Sequence, residues 1–292
     1  MKTMSVYLAV AAAIAFSAGG VHGANPTAML NIQQWSGSTW SENISGLLVV
    51  DAQDNFTLRQ GSGTSGIYQN GSFVDSVSTA GNYWQWGNDL SGGYWNWHST
   101  DVVDSTKPVG ADNPWMSVLN LKSVSGHGDP DIAYAFSAFN NTASNQTYTF
   151  TVGEAIFPTV SGANTVYSDI SGGLTTKDGN VTVSPVTGNT VLQRFQLSAD
   201  NGLSFVDAGV GVGSAATASG TVTYGPYNSP ATFGPAGSWN YIQMVNSFVL
   251  TPKDGASFAG YASITAVPEP KSLAMLLTGM GLMVTMVRRR SV

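Results

Sequence analysis

The sequence predicts an all-β fold, a β-sandwich of jelly-roll type, flanked by an N-terminal export signal and a C-terminal transmembrane helix. Three observations carry that expectation. Between residues 24 and 266, apolar residues alternate with polar ones and no stretch keeps a helical period. Gly makes up 34 of 292 residues, roughly 12% where about 7% is usual, and Asn, Asp and Pro punctuate the chain at short intervals. Charged residues are 10% of the chain, against about 25% in an ordinary soluble domain. The glycines have no three-residue period, which excludes a collagen, and Lys and Glu are too scarce for a coiled coil. With 42% apolar residues and 8 Trp, the chain can close a core, which excludes general disorder. A closed barrel is the alternative architecture.

The elements follow in order. Lys2 and the apolar run Val6–Ala18 have the charged and apolar regions of a secretory signal. Val21-His22-Gly23 suits cleavage after Gly23, with cleavage after Ala24 the near alternative. The expected plan is a signal peptide at 1–23, one β body at 24–266 and a separate C-terminal segment at 267–292. Within the body, Gly46–Val50 and Asn55–Gln60 read as strands. Ile67–Gln69 and Ser72–Val74 flank Asn70-Gly71, the strongest short hairpin signal in the chain. Pro108–Pro114 marks a soft boundary. Asp131–Phe139 puts Ile132, Tyr134, Phe136 and Ala138 on one face, and Gln146–Gly153 alternates Tyr148, Phe150 and Val152 with threonines. With the polar loop Asn140–Asn145 between them, these two are expected to form an antiparallel pair. Thr190–Ser198, with Val191, Phe195 and Leu197 on a common face, is a further strand. So are Asn180–Ser184, Thr221–Tyr224, Ile242–Leu250 and Phe258–Thr265.

The most distinctive segment is a near-duplicate. Tyr83-Trp84-Gln85-Trp86 recurs as Tyr94-Trp95-Asn96-Trp97, separated by a Gly/Asn/Asp/Ser turn. As a hairpin with an even loop such as Asn88–Gly93, it pairs Trp86 with Trp95 and Trp84 with Trp97. All four indoles then share one surface, with Gln85 and Asn96 on the other. Trp84, Trp86, Trp95 and Trp97 are therefore the candidate carbohydrate-binding residues, since indole faces stack on pyranose C–H bonds while amides bind hydroxyls. The competing reading places the same indoles in the core as cross-strand pairs, each worth roughly 0.5–1.5 kcal/mol beyond burial.

Ser272–Val287 is a run of sixteen residues without a charge, closed by Arg288, Arg289 and Arg290. As a helix it reaches about 24 Å, and Lys271 and Arg288 can snorkel to cover a hydrocarbon core of ~30 Å. The arginines stay cytoplasmic by the positive-inside rule, leaving the body outside. Just before this run stands Val267-Pro268-Glu269-Pro270, where two prolines around one acid enforce extended, accessible backbone. The three parts in this order resemble the PEP-CTERM sorting signal of Gram-negative bacteria that make extracellular polysaccharide. The resemblance covers residues 267–292 and implies recognition of Pro268, Glu269 and Pro270 by exosortase, a membrane-embedded cysteine protease-like enzyme. It implies that Arg288–Arg290 act as the stop-transfer tail and that the helix is discarded, as in a GPI signal. The region 129–265 also looks like the sandwich region of other such exported proteins.

Charge narrows the partners. Residues 24–266 hold sixteen of the seventeen acids but only six of the eleven bases, so the body carries about −10. That disfavours nucleic acid, which needs a basic face to replace counterions. No cysteine is present, so disulfides and thiolate metal sites are excluded. Beyond the signal peptide only His98 and His127 remain, and no nucleophile-elbow pattern accompanies them. His127-Gly128-Asp129-Pro130-Asp131 has oxygen ligands but lacks EF-hand spacing, and reads as a turn into the next strand. The expectation is a non-enzymatic, exported structural or matrix-associated protein with no cofactor or metal. Its partners would be exosortase, extracellular polysaccharide and, before cleavage, the membrane. A carbohydrate-binding module is the alternative, and a secreted hydrolase the second.

Overall fold

The structure is a computed structural model. It describes residues 28–36, 38–52, 55–61, 66–69, 71–75, 83–89, 92–98, 118–127 and 130–267, without the side chains of 34–41, 88, 89, 92, 98 and 118. The expected signal peptide, Pro108–Pro114, the sorting motif Pro268–Pro270, the apolar run Ser272–Val287 and Arg288–Arg290 lie outside the described residues. Among the described residues, no helix is long and apolar enough to cross a membrane.

The described chain is all-β. Its first strands are β1 (Ala28–Ser36), β2 (Ser38–Asn43), β3 (Leu48–Val50), β4 (Phe56–Leu58), β5 (Ile67–Gln69) and β6 (Ser72–Val74). The tryptophan-rich pair β7 (Tyr83–Asp89) and β8 (Gly92–His98) follows. Then come four long strands: β9 (Val118–His127), β10 (Asp131–Asn140), β11 (Gln146–Gly162) and β12 (Asn164–Thr176). Shorter ones are β13 (Asn180–Pro185), β14 (Gln193–Ser198), β15 (Val206–Asp207) and β16 (Ala216–Ser219). The chain closes with β17 (Val222–Phe233), β18 (Gly237–Leu250) and β19 (Asp254–Ala266).

Every pairing is antiparallel, and the strands fall into two sheets. The smaller runs β15-β14-β18-β11-β1-β2, with β13 and β16 attached. The larger runs β17-β12-β19-β10-β9-β8-β7-β5-β6, with β3 and β4 attached through β9. The two sheets share one core, because alternation puts the apolar half of each strand inward. Phe136 of the larger sheet stacks on Phe150 of the smaller at 4.7 Å, and Phe248 meets Phe258 edge-on at 4.9 Å.

The expected pairing of Asp131–Phe139 with Gln146–Gly153 is not formed. β10 pairs with β9 and β19, while β11 pairs with β1 and β18. The apolar faces of both strands do point into the core, but they oppose each other across it instead of lying side by side. The loop between them is a corner that carries the chain from one sheet to the other, and buried Asn140 builds it. Its Nδ2 donates to the carbonyls of Ser144, Leu250 and Thr251, and its Oδ1 accepts from the Thr142 backbone N–H and hydroxyl. A two-residue turn would have kept both strands in one sheet; this longer, amide-braced loop lets them separate.

A polar bridge ties the sheets inside the core. The Tyr134 hydroxyl (β10) donates to Gln193 Oε1 (β14) and accepts from Asn246 Nδ2 (β18) at 2.7 Å. Gln193 Nε2 donates to Ser168 Oγ and to the Asp169 carbonyl (β12), each at 2.8 Å. Burial pushes the Tyr134 hydroxyl far above its ordinary pKa, so it stays a donor at any physiological pH. At the rim of the larger sheet, edge strand β17 carries Pro226 and Pro230, which remove N–H groups from a row that would otherwise template another chain.

Candidate functional site

The tryptophan hairpin forms in the register that the duplicate predicts: Trp84 opposite Trp97, Gln85 opposite Asn96, Trp86 opposite Trp95. Pairing continues through Asn88–Gly93 to Asp89–Gly92, so the turn is tighter than the expected loop. The indoles do share one face, but that face is the inward one. Trp84 and Trp95 are fully buried, and Trp97 is buried. Trp84 Nε1 donates to Glu42 Oε2 at 3.2 Å, and Trp95 Nε1 donates to the Arg59 carbonyl at 2.7 Å. Burial raises the Glu42 pKa, and the Trp84 hydrogen bond partly offsets that rise.

Trp86 is half-buried and packs on the core, with its ring edge-on to Trp95 at 5.4 Å. It sits in a cradle of glycines. A Cβ at Gly93, Gly61 or Gly66 would fall 1.9, 2.3 or 2.4 Å from its side chain. Only bare backbone can approach an indole that closely. The sugar platform of Trp84, Trp86, Trp95 and Trp97 is therefore corrected: Trp84, Trp95 and Trp97 are buried in the protein, and the half-buried Trp86 alone makes no platform. Phe73 packs on the Trp95 ring at 5.9 Å, and burying the indoles in this way contributes apolar burial that an exposed platform would forgo.

The outward face of the same sheet has a different chemistry. Register places Gln85 opposite Asn96, Asn96 opposite Asn120, Asn120 opposite Ser137, and Ser137 opposite Ser257. These side chains make one straight polar row across β7, β8, β9, β10 and β19. Ser257 in turn faces Gly173 of β12. At about 4.8 Å per strand the row to Gly173 spans roughly 24 Å. Beside it runs a second row of small residues, Ala135, Ala259 and Ser171, with Tyr94 at its other end.

The two rows leave a groove of about 380 Å³, with Tyr94, Asn120 and Lys122 on one side and Gly172 on the other. A bulge in β9, where register shifts at Ala135/Phe136, carries Lys122 into the groove. Gly87 positions the wall. A Cβ there would sit 3.3 Å from the Tyr94 ring and 3.0 Å from Asn96 Nδ2, so the missing side chain lets the ring lean over the strand. Asn120 Oδ1 is covered and lacks a hydrogen-bond partner among the described residues. Among the described residues that line it are an amide, hydroxyls, Tyr94 and Lys122, which are groups suited to recognition.

Sequence reasoning placed Gln85 and Asn96 on the face opposite the tryptophans, but did not follow that face onto its neighbours. β9 was not among the expected strands, although Leu119 and Leu121 alternate with Asn120 and Lys122. At the far end of the sheet, a second cleft of about 520 Å³ is bordered by Asp131, Pro158 and Tyr261. Asp131 there pairs with His127 Nδ1 at 2.7 Å, as expected of a turn between β9 and β10. Among the described residues no group of three or more His, Cys, Asp or Glu side chains could hold a metal ion.

The chain matches no family model and no curated protein. Among solved structures it is similar to the carbohydrate-binding module TmCBM61, seen in complex with β-1,4-galactotriose. The identity is 11%, over 46% of this chain and 71% of that one, with a TM-score of 0.21. It is also similar to a structure of infectious bursal disease virus Gx strain. There the identity is 11%, over 91% of this chain and 86% of that one, with a TM-score of 0.14. At such TM-scores neither likeness bears on this protein's fold or function.

Proposed function

We propose that the protein is a non-enzymatic, exported structural protein of the cell surface or exopolysaccharide matrix. It is delivered by the signal peptide at 1–23 and held transiently in the inner membrane by Ser272–Val287. Exosortase then frees it at Pro268-Glu269-Pro270. The observation that carries this reading is the three-part C-terminal sequence: the proline-bracketed acid, the short uncharged run and Arg288–Arg290. The body supports it from its side. β19 ends at Ala266, and Val267 is still held by its N–H donating to the Ala163 carbonyl at 2.9 Å, so cleavage at the motif would leave both sheets whole. In this reading the two sheets are a jelly-roll sandwich, the chain crossing between them at each step from β10 to β13 and again at each step from β16 to β19, with β13–β16 staying in the smaller sheet.

The test is the intact mass of the protein recovered from the medium or cell surface. Loss of Ser272–Val287 is the expected result, and Glu269→Ala is expected to keep the chain in the membrane fraction. A surface form that retains residues 272–292 would overturn exosortase release. A carbohydrate-binding role is the second reading, and the observation favouring it is the polar groove, not the tryptophans.

A further inference from the structure

We infer that the groove on the outer face of the larger sheet binds an extended, neutral polysaccharide chain running across the strands, over Tyr94 and along the row Asn96, Asn120, Ser137 and Ser257. The inference deepens the matrix role and rests on it only for bringing the protein to such a polymer.

Shape is the first argument. The groove crosses the strands, and its floor is low because β10 and β19 present Ala135 and Ala259 there. Larger side chains at these two positions would close it. Its volume, about 380 Å³, falls at the lower end of ligand sites, and its course across several strands suits a segment of a longer chain.

Chemistry is the second. The polar row holds only amides and hydroxyls, each able to donate and accept, which matches a ligand whose hydroxyls do both. A peptide would look for main-chain partners, and the face of a sheet has spent its N–H and C=O groups on its own ladders. Nucleic acid would need several cations, and among the described residues Lys122 is the only one lining the groove. The Tyr94 ring, leaning over Gly87, is the one aromatic surface of the groove that can lie against the C–H face of a sugar. Asn120, which lines the groove, adds an amide to the polar row that a sugar hydroxyl would meet.

The test is affinity electrophoresis of the secreted protein in native gels containing hydroxyethyl cellulose, β-1,4-galactan or alginate. Retardation by at least one of the two neutral polymers is expected. Tyr94→Ala should weaken it at least fivefold, and Ala259→Trp, which fills the groove from an exposed position, should abolish it. Phe157→Ala, an exposed residue away from the groove, should migrate as wild type. Circular dichroism of each variant separates lost binding from lost fold, and Ala259→Leu, which should weaken retardation at least fivefold, serves as a milder filling variant if the tryptophan does not fold. Unchanged mobility in both neutral gels overturns the inference. So does equal retardation of Tyr94→Ala and wild type, or retardation in alginate alone that disappears with salt. A protein that is clipped at the motif yet unretarded refutes the groove and leaves the sorting reading standing. One that is retarded yet unclipped does the reverse.

Discussion

The two faces of the β7–β8 hairpin carry neighbouring residues with opposite duties. Trp95 is fully buried, hydrogen-bonded to Arg59 and flanked by Trp86 and Phe73, whereas Tyr94, one residue earlier, stands half-exposed at the wall of the outer groove. Aromatic density in a sequence thus marks where apolar area is available, and the layer above it decides whether that area is wet. Substitution should separate the two faces most sharply here. Trp95→Ala is expected to cost about 3–5 kcal/mol of folding stability, by lost burial and an unfilled cavity. Tyr94→Ala should cost under about 1 kcal/mol. Urea denaturation followed by circular dichroism measures both. Similar losses for the two would mean that the outer face is as structural as the inner one.

Much of this contrast was legible in the sequence where the signal is local. Asn70-Gly71 specified the β5–β6 turn, and Gly71 takes the positive φ of 80° that such a turn requires. The Tyr-Trp-amide-Trp duplicate specified its own cross-strand register. What depends on distant partners was not legible. β10 and β11 have matching alternation, and nothing in either segment says whether they pair or oppose. That is decided by β19, which inserts beside β10, and β18, which inserts beside β11. β12, with its run of Ser, Asp, Gly and Thr, shows little alternation because inward positions carry Asn164 and Ser168 while Tyr167 points outward. Its strand identity comes from full-length pairing with β19. The groove belongs to the same class, since its polar row is assembled from five strands and exists only once their registers are known.

The inner face is not wholly apolar, and one of its buried acids offers a second way to probe the contrast. Glu154 of β11 is 1% exposed, and both its carboxyl oxygens lack a hydrogen-bond partner among the described residues. Burial, with a smaller contribution from the Asp131 charge, pushes its pKa up to about 10. A folded-state pKa raised above the unfolded value of 4.5 means that the folded protein holds a proton the unfolded chain has released. The contribution of Glu154 to stability is then fully present below about pH 4.5 and is lost as pH rises towards 10. At pH 7 the deficit is of the order of 3 kcal/mol. Glu154→Gln keeps the shape without the titration, so it should flatten this decline and raise stability at pH 8 more than at pH 5. Thermal melts across that range check it, and parallel pH profiles for the two proteins would remove Glu154 as the cause.

The smallest test again uses adjacent residues on opposite faces, now in β19. Gly260 lies beneath the polar bridge: a Cβ there would fall 2.3 Å from Gln193 Oε1 and 2.6 Å from the Tyr134 ring. Gly260→Ala must push one of them aside, and neither is a flexible surface tip, since Tyr134 is held by Asn246 and Gln193 by Ser168. The expected loss is about 1–3 kcal/mol, from overpacking and from a strained inter-sheet hydrogen bond. Ala259→Ser, one residue away on the groove floor, should stay within about 0.5 kcal/mol of wild type. Combining Gly260→Ala with Gln193→Ala, which removes the obstructing oxygen, tells the two sources apart. A double mutant less destabilised than the sum of the singles locates the cost in the Gln193 clash, because contacting residues couple in this way. Strict additivity would assign it instead to the Tyr134 ring, leaving the bridge itself a minor contributor to how the two sheets are held.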